Sequence, residues 1–233
     1  MGKSRNKPRN KSKSGSQSPK MNKNIDAKEI LRLANIIYFR SQVYDKTRWM
    51  GVRTAKCPMD MWMYQELIFR LKTDLIIETG TLNGGSASFF AHMLDIMGRG
   101  KVITIDINDD IQGRPQHQRI EYIKGSSIDP DVVNSLMPAV REANSVMVIL
   151  DADHRAPFKL QELELYSPLV SVGNYIIAED SCFDEYPAWP EYGPGPATAI
   201  KEFIERTDRF EIDRELEQHM ITFAPRGFIK RIA

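Results

Sequence analysis

Acidic residues directly follow two short apolar segments in the second half of this 233-residue chain. Asp151 follows Val146–Leu150, and the pair Glu179 and Asp180 follows Tyr175–Ala178. If both segments are parallel strands of one sheet, their carboxyl ends share an edge and the three carboxylates converge. Their mutual repulsion favours a bound cation, and an all-oxygen ligand set suits Mg²⁺. The pattern predicts a divalent metal site, with capping of the following helices as the alternative role of these acids.

A histidine accompanies the first of these acids. His154 lies three residues after Asp151. An imidazole that lies so close in sequence to a metal ligand can serve as a general base for a hydroxyl group at the metal site. Asp153, in the same short segment, is the alternative base.

A glycine-rich turn follows the apolar segment 75–77 in the first half of the chain. Gly80 and Gly84 permit a tight turn and the close approach of a ligand to the backbone. Asp106 ends the next apolar segment, where a carboxylate can bind the two ribose hydroxyls of an adenosine. The turn matches neither the dinucleotide fingerprint nor a P-loop, and Glu78 within it suits an ammonium better than a pyrophosphate. We therefore expect S-adenosylmethionine (SAM) here, against the alternative of a plain strand-to-helix turn.

Short apolar segments alternate along the chain with segments whose apolar residues recur every three to four positions. The predicted strands are 75–77, 102–105, 120–123, 146–150 and 175–178. The predicted helices are 25–44, one that starts near Pro58, 86–97, 130–143, 158–169 and 197–206. This alternation indicates an α/β fold with a doubly wound, mostly parallel sheet.

The C-terminal part follows a different pattern. Segments 210–213 and 220–223 are expected to be strands, and 227–229 is expected to close an antiparallel hairpin. The loop 183–196 contains Tyr186, Trp189 and Tyr192 among four prolines. It is expected to form a wall or lid for a substrate, or else a rigid surface loop.

The N-terminal segment 1–24 contains eight Lys or Arg residues and no acidic residue. Because it also lacks aromatic and β-branched residues, we expect it to be disordered, with one folded domain over 25–233. It could be a solubilising tail or an arm that contacts an anionic partner. Since the chain has no apolar run long enough for a membrane span and no secretory signal pattern, we expect a cytoplasmic protein without a membrane partner.

Several of these segments together resemble the so-called cephalosporin hydroxylase family. The segments that carry the resemblance are 77–81, 84–86, 150–154, 172–180 and 193–196. Members of that family look like SAM-dependent O-methyltransferases with a Mg²⁺ site, similar to rhamnosyl, macrolide-sugar and catechol-type O-methyltransferases. The resemblance implies a Rossmann-like class I methyltransferase fold, with a seven-stranded sheet that ends in an antiparallel hairpin.

The resemblance also implies roles for individual residues. By position, Asp151, Glu179 and Asp180 would bind the metal, and His154 takes the place of the lysine that is the usual base. The turn 125–127 resembles the turn that contacts the adenine in those enzymes. The implied cofactor residues are Glu78, Gly80, Gly84, Ser86, Asp106, Gly125, Ser126 and Ser127.

The sequence therefore predicts an enzyme that transfers a methyl group from SAM to a hydroxyl of a small molecule with the help of Mg²⁺. A nucleic-acid partner is not expected, and a homo-oligomer is possible. One alternative is a methyltransferase-like binding domain without activity, tethered by the basic arm. A hydroxylase, as the family label suggests, is the other alternative, but no histidine begins the HxD pattern of an iron site. Selectivity for the acceptor is expected to lie in the loops around the site and not in the cofactor and metal motifs.

Overall fold

A computed structural model describes residues 26–108 and 113–233. Within these residues the strands are β1 (Arg48–Trp49), β2 (Val52–Arg53), β3 (Leu75–Thr79), β4 (Lys101–Asp106), β5 (Ile120–Lys124), β6 (Val146–Leu150), β7 (Tyr175–Ala178), β8 (Phe210–Ile212) and β9 (Phe228–Arg231). Strands β1 and β2 form a small hairpin, and the others form one sheet in the order β5-β4-β3-β6-β7-β9-β8. Strands β3 to β7 are parallel, whereas β9 is antiparallel to both β7 and β8. This architecture confirms the predicted fold class.

The helices surround this sheet. They are α1 (Ala27–Arg40), α2 (Pro58–Leu71), α3 (Gly85–Ile96), α4 (Pro130–Ser135), α5 (Met137–Glu142), α6 (Ala156–Tyr166), α7 (Cys182–Glu185) and α8 (Pro196–Glu205). None of the helices in the described ranges is both long and apolar enough to cross a membrane. The predicted disordered segment 1–24 lies outside the described residues.

The register of the central strands determines which residues meet at the carboxyl edge of the sheet. Every residue of β3 and β6 is buried, as expected for parallel strands covered by helices on both faces. The register pairs Thr79 with Ile105 and with Leu150, and Leu150 with Ala178. The residues that follow these strands therefore meet at one edge of the sheet.

One predicted strand is wrong. The segment 220–223 is not a strand, and β9, at Phe228–Arg231, pairs with β8 instead. In the irregular segment, the Thr222 amide donates to Asn35 Oδ1 at 3.0 Å and the Phe223 amide to Asp60 Oδ2 at 2.8 Å. Because side chains satisfy these amides, the segment does not need a strand partner.

Two predicted helices are shorter than expected. The segment 130–143 forms two helices, α4 and α5, because Pro138 has no amide hydrogen to continue the first one. The N-terminal helix ends at Arg40, and Gln42 adopts a left-handed conformation with φ of 55° before a short 3-10 turn.

Candidate active site

A cavity of about 610 Å³ opens at the carboxyl edge of the parallel strands. Nine of the twelve residues predicted from the sequence to form the site line this cavity. They are Gly80, Ser86, Asp106, Gly125, Ser126, Ser127, Asp151, His154 and Asp180. The predicted cofactor and metal regions are therefore two parts of one space, whereas Glu78, Gly84 and Glu179 lie outside its lining.

The glycine turn after β3 is shaped by close packing. Gly80 has φ of +84°, and a Cβ there would lie 2.1 Å from the Asp151 carbonyl oxygen. Gly84, with φ of +76°, precedes α3, and a Cβ there would lie 3.0 Å from the Tyr122 hydroxyl. Only glycine fits the first position without moving the backbone, which brings the turn directly against the end of β6.

Asp106 at the end of β4 is held from two sides. Its Oδ2 accepts from the Leu82 amide at 2.9 Å, and its Oδ1 accepts from the Asn108 amide at 2.9 Å. Arg114 lies 3.3 Å from Oδ2 and donates through Nε to the Leu82 carbonyl at 2.8 Å. Sequence reasoning missed Arg114, which ties the glycine turn to the acid expected to bind ribose.

Glu78 lies beneath the turn and not in the cavity wall. It is fully buried, and its Oε2 accepts from the Thr104 hydroxyl at 2.8 Å. Its Oε1 has no hydrogen-bond partner among the described residues. Burial raises the pKa of Glu78 to about 7, although the nearby Lys56 ammonium opposes this shift. Glu78 therefore lies behind the turn, and it does not line the cavity in which a cofactor would bind.

The acidic half of the cavity brings three potential metal ligands together. One ligand atom each of Asp151, His154 and Asp180 lies within 4.8 Å of the other two. His154 Nε2 is 3.3 Å from Asp180 Oδ2, and His154 Nδ1 is buried without a hydrogen-bond partner among the described residues. Two carboxylates and an imidazole form a donor set that can bind a divalent cation.

Glu179, the third expected metal ligand, is not in this group. Its Oε1 accepts from the Lys56 ammonium at 2.8 Å and from the Tyr64 hydroxyl. Lys56 also donates to Asp151 Oδ2 at 2.7 Å. Sequence reasoning missed Lys56 and Tyr64, although the need to offset three converging carboxylates was itself a signal for a basic side chain.

Burial shifts the acid-base properties of the site. Desolvation, reinforced by the charge of Asp151, raises the pKa of Asp180 well above its ordinary value. Desolvation lowers the pKa of His154 to about 4, so its imidazole is neutral at neutral pH and can accept a proton, although the same shift makes it a weaker base than an ordinary histidine. Hydrogen bonds from Arg155 lower the pKa of Asp153, which makes this carboxylate a weaker base.

Aromatic side chains form the outer wall of the cavity, including Phe39, Tyr44 and Trp189. The Phe183 ring, which also lines it, packs against the His154 ring with the centroids 5.2 Å apart. Tyr192, from the predicted wall or lid, packs edge-on against the Phe183 ring with the centroids 5.1 Å apart. This part of the site provides apolar surface beside the acidic group.

Comparisons with known proteins agree with this geometry. Residues 41–232 match the family model described as Rhamnosyl O-methyltransferase/CmcI. The chain is 35% identical over 201 residues to the rhamnosyl O-methyltransferase of Mycobacterium tuberculosis H37Rv, covering 83% of this chain and 82% of that protein. It is 34% identical to the enzyme of the same name from Mycobacterium leprae, with coverage of 83% and 87%.

A solved structure supports the same assignment. The structure described as cmcI-D160 Mg-SAM is 25% identical and superposes with a TM-score of 0.61, covering 81% of this chain and 78% of that one. Its fold corresponds to the Rossmann-like sheet found here, as the resemblance of the sequence motifs implied. The chain therefore belongs to the rhamnosyl O-methyltransferase/CmcI family of SAM-dependent O-methyltransferases.

Proposed function

We propose that this protein transfers the methyl group of SAM to a hydroxyl group of a glycosyl or similar small-molecule acceptor, with a divalent cation at the acidic end of the cavity. One observation carries the proposal. A single cavity joins the glycine turn and Asp106 on one side to Asp151, His154 and Asp180 on the other. A donor and an acceptor bound at the two ends would therefore meet.

The cofactor half fits SAM by its donor set. Ser127 lines the cavity, and its Oγ is buried without a hydrogen-bond partner within the described residues, so this hydroxyl would be available to a polar edge of the adenine. Gly125 and Ser126 would form the rest of that contact, and Asp106 would accept from the ribose hydroxyls. Ser86, at the start of α3, lies beside the turn that would face the methionine portion. Glu78 and Gly84 would act from behind the turn by shaping it.

The acidic half fits Mg²⁺ or a similar ion. Asp151, Glu179 and Asp180 are the proposed ligands, and Glu179 would contribute Oε2 because Oε1 already bonds Lys56 and Tyr64. The unpartnered His154 Nδ1 and the close group of Asp151 and Asp180 support a bound ligand at this place. When bound, the cation would lower the pKa of the acceptor hydroxyl.

The chain's own residues then move the proton and orient the acceptor. His154, neutral and beside Asp180, would accept the proton of the hydroxyl. The rings of Phe183 and Trp189 would hold the apolar part of the acceptor and exclude water. The relatives named rhamnosyl O-methyltransferase favour a sugar hydroxyl as the acceptor. Cytoplasmic location, a homo-oligomer and the lack of a nucleic-acid partner stay predictions.

The proposal is tested with SAM that carries an isotope-labelled methyl group. Rhamnosides and other glycosides are incubated with the protein and Mg²⁺, and the products are analysed by mass spectrometry. We expect label on a hydroxyl oxygen in Mg²⁺ and none in EDTA, and we expect calorimetry to show binding of S-adenosylhomocysteine but not of NAD. Transfer that persists in EDTA would contradict the metal's role, and NAD binding without S-adenosylhomocysteine binding would contradict the donor.

A further inference from the structure

Lys56 is a buried cation for which the proposed reaction has no role. It lies between β2 and α2, and only 3% of its surface is exposed. Its ammonium bridges two carboxylates, at 2.7 Å from Asp151 Oδ2 and 2.8 Å from Glu179 Oε1. These acids are 95 and 123 positions away in the sequence, so the fold brings the lysine to them.

The position of the ammonium favours its charged form. Its Nζ lies 2.7 Å from Asp151 Oδ2 and 2.8 Å from Glu179 Oε1, and two carboxylates at this distance stabilise a positive charge. Glu179 receives a further hydrogen bond from the Tyr64 hydroxyl. Lys56 is therefore a fixed positive charge inside the acidic group.

The charges around Lys56 suggest what this ammonium does. With a cation bound, Asp151, Glu179 and Asp180 would all be ionised and would together carry three negative charges. The ammonium offsets one of them, which leaves two, the charge that one divalent cation neutralises. Two further buried acids nearby have other hydrogen-bond donors than this ammonium: Asp60 accepts from the Phe223 amide and Glu78 from the Thr104 hydroxyl.

We infer that Lys56 is a built-in cation that matches the acidic group to a single divalent ion and disfavours ions of higher charge. The inference rests on the proposed metal site and adds the determinant of its charge selectivity. The physical reason is that the ammonium repels a trivalent ion by half as much again as a divalent ion at the same place. Removing its charge should therefore raise the affinity for the trivalent ion relative to the divalent ion. Effects of the substitution that are equal for both ions cancel in this ratio.

The test compares Mg²⁺ with Tb³⁺ in the full-length protein without SAM. Dissociation constants for both ions are measured by calorimetry and by Tb³⁺ luminescence in the wild type, Lys56→Met and Lys56→Arg. We expect the preference for Tb³⁺ over Mg²⁺ to rise about tenfold or more in Lys56→Met, because one unit charge a few ångströms away is removed. In Lys56→Arg, which keeps the charge, we expect the preference to stay within about twofold of the wild type.

Two further variants make the result decisive. Lys56→Gln repeats the loss of charge if Lys56→Met does not fold. Lys159→Met removes another fully buried lysine, one that pairs with Glu162 and donates to the Leu150 carbonyl, and it should change the preference less than Lys56→Met does.

The outcomes separate this inference from the proposed function. An unchanged preference in folded Lys56→Met and Lys56→Gln would overturn the role of Lys56, and so would the loss of both ions in those variants while the wild type binds them. A wild type that binds neither ion in this group would instead contradict the metal site itself.

Discussion

Asp180 combines several features that are unfavourable unless a ligand is bound. It has φ of +59°, a left-handed conformation that is rare for a residue other than glycine. Its carboxyl is desolvated and lies close to Asp151, and both effects raise its pKa. Strained and electrostatically unfavourable residues of this kind concentrate at functional sites.

Substitutions should separate the metal ligands from the base. We expect Asp151→Ala and Asp180→Ala to abolish Mg²⁺-dependent methyl transfer but to leave the affinity for S-adenosylhomocysteine largely unchanged. His154→Ala should lower the rate by about 10²–10⁴, as for loss of a general base, and should keep metal binding. Activity assays and Mn²⁺ titrations check this, and loss of the metal in His154→Ala would make the histidine a ligand.

Glu78 should make stability depend on pH. Its pKa rises from 4.5 to about 7 on folding, so the folded protein holds a proton in this interval that the unfolded chain releases. The resulting stabilisation is complete below the unfolded pKa and is lost as pH rises through the folded value. Relative to Glu78→Gln, the wild type should lose up to about 3 kcal/mol of unfolding free energy over this interval. Urea unfolding at a series of pH values measures it, and a pH-independent difference would refute it.

The loop that carries the aromatic wall depends on one acid in α7. Asp184 accepts from the Gly195, Ala197 and Thr198 amides at 2.9–3.0 Å and from the Thr198 hydroxyl. These bonds join α7 to the start of α8 and close the segment that contains Trp189. Asp184 therefore caps the start of α8 and links the two ends of the loop.

Removing the hydrogen bonds of Asp184 should weaken binding of the acceptor more than binding of the methyl donor. In Asp184→Ala we expect a loss of about 1–2 kcal/mol in unfolding free energy, the scale of a lost cap. Faster hydrogen exchange over 186–195 and a several-fold higher KM for the acceptor should accompany it, with S-adenosylhomocysteine affinity unchanged. Exchange rates in this segment that match the wild type would show that other contacts fix the loop.

The alternation of elements was predictable from the sequence because buried parallel strands are continuous apolar segments. The strands at 75–79, 146–150 and 175–178 are of this kind, and the predicted positions agree with them. The segment 220–223 also looks like a strand, but Asp60 and Asn35, distant in sequence, take up its amides. Contacts of this kind cannot be seen in a local pattern.

The residues of the site also divide into those that a local sequence pattern reveals and those that it does not. The placement of Gly80, Asp106, Asp151 and Asp180 around one cavity was predictable because each ends or closely follows a strand, and the rule for open parallel sheets brings such residues to one edge. Lys56, Tyr64 and Arg114 come from a loop, a helix and an irregular segment, and they reach the site through tertiary packing. Their spacing in the sequence carries no signal of that approach.

At the scale of the whole chain, the basic segment 1–24 is predicted to be separable from the enzyme. It contains no aromatic, Leu, Ile or Val residue with which to join a core. Its removal should leave the melting temperature and the affinity for S-adenosylhomocysteine nearly unchanged. A fall of several degrees in differential scanning calorimetry would show that the segment packs on residues 25–233.

The methyl donor and the divalent cation are proposed to occupy the two ends of one cavity. The most direct test is the NMR signal of SAM labelled with ¹³C in its methyl group, bound to the protein with Mn²⁺ in place of Mg²⁺. We predict strong paramagnetic broadening of that signal in the wild type and little broadening in a variant with Asp151→Asn and Asp180→Asn, since the ion would then be lost. A bound methyl signal that Mn²⁺ leaves sharp in the wild type would contradict the account.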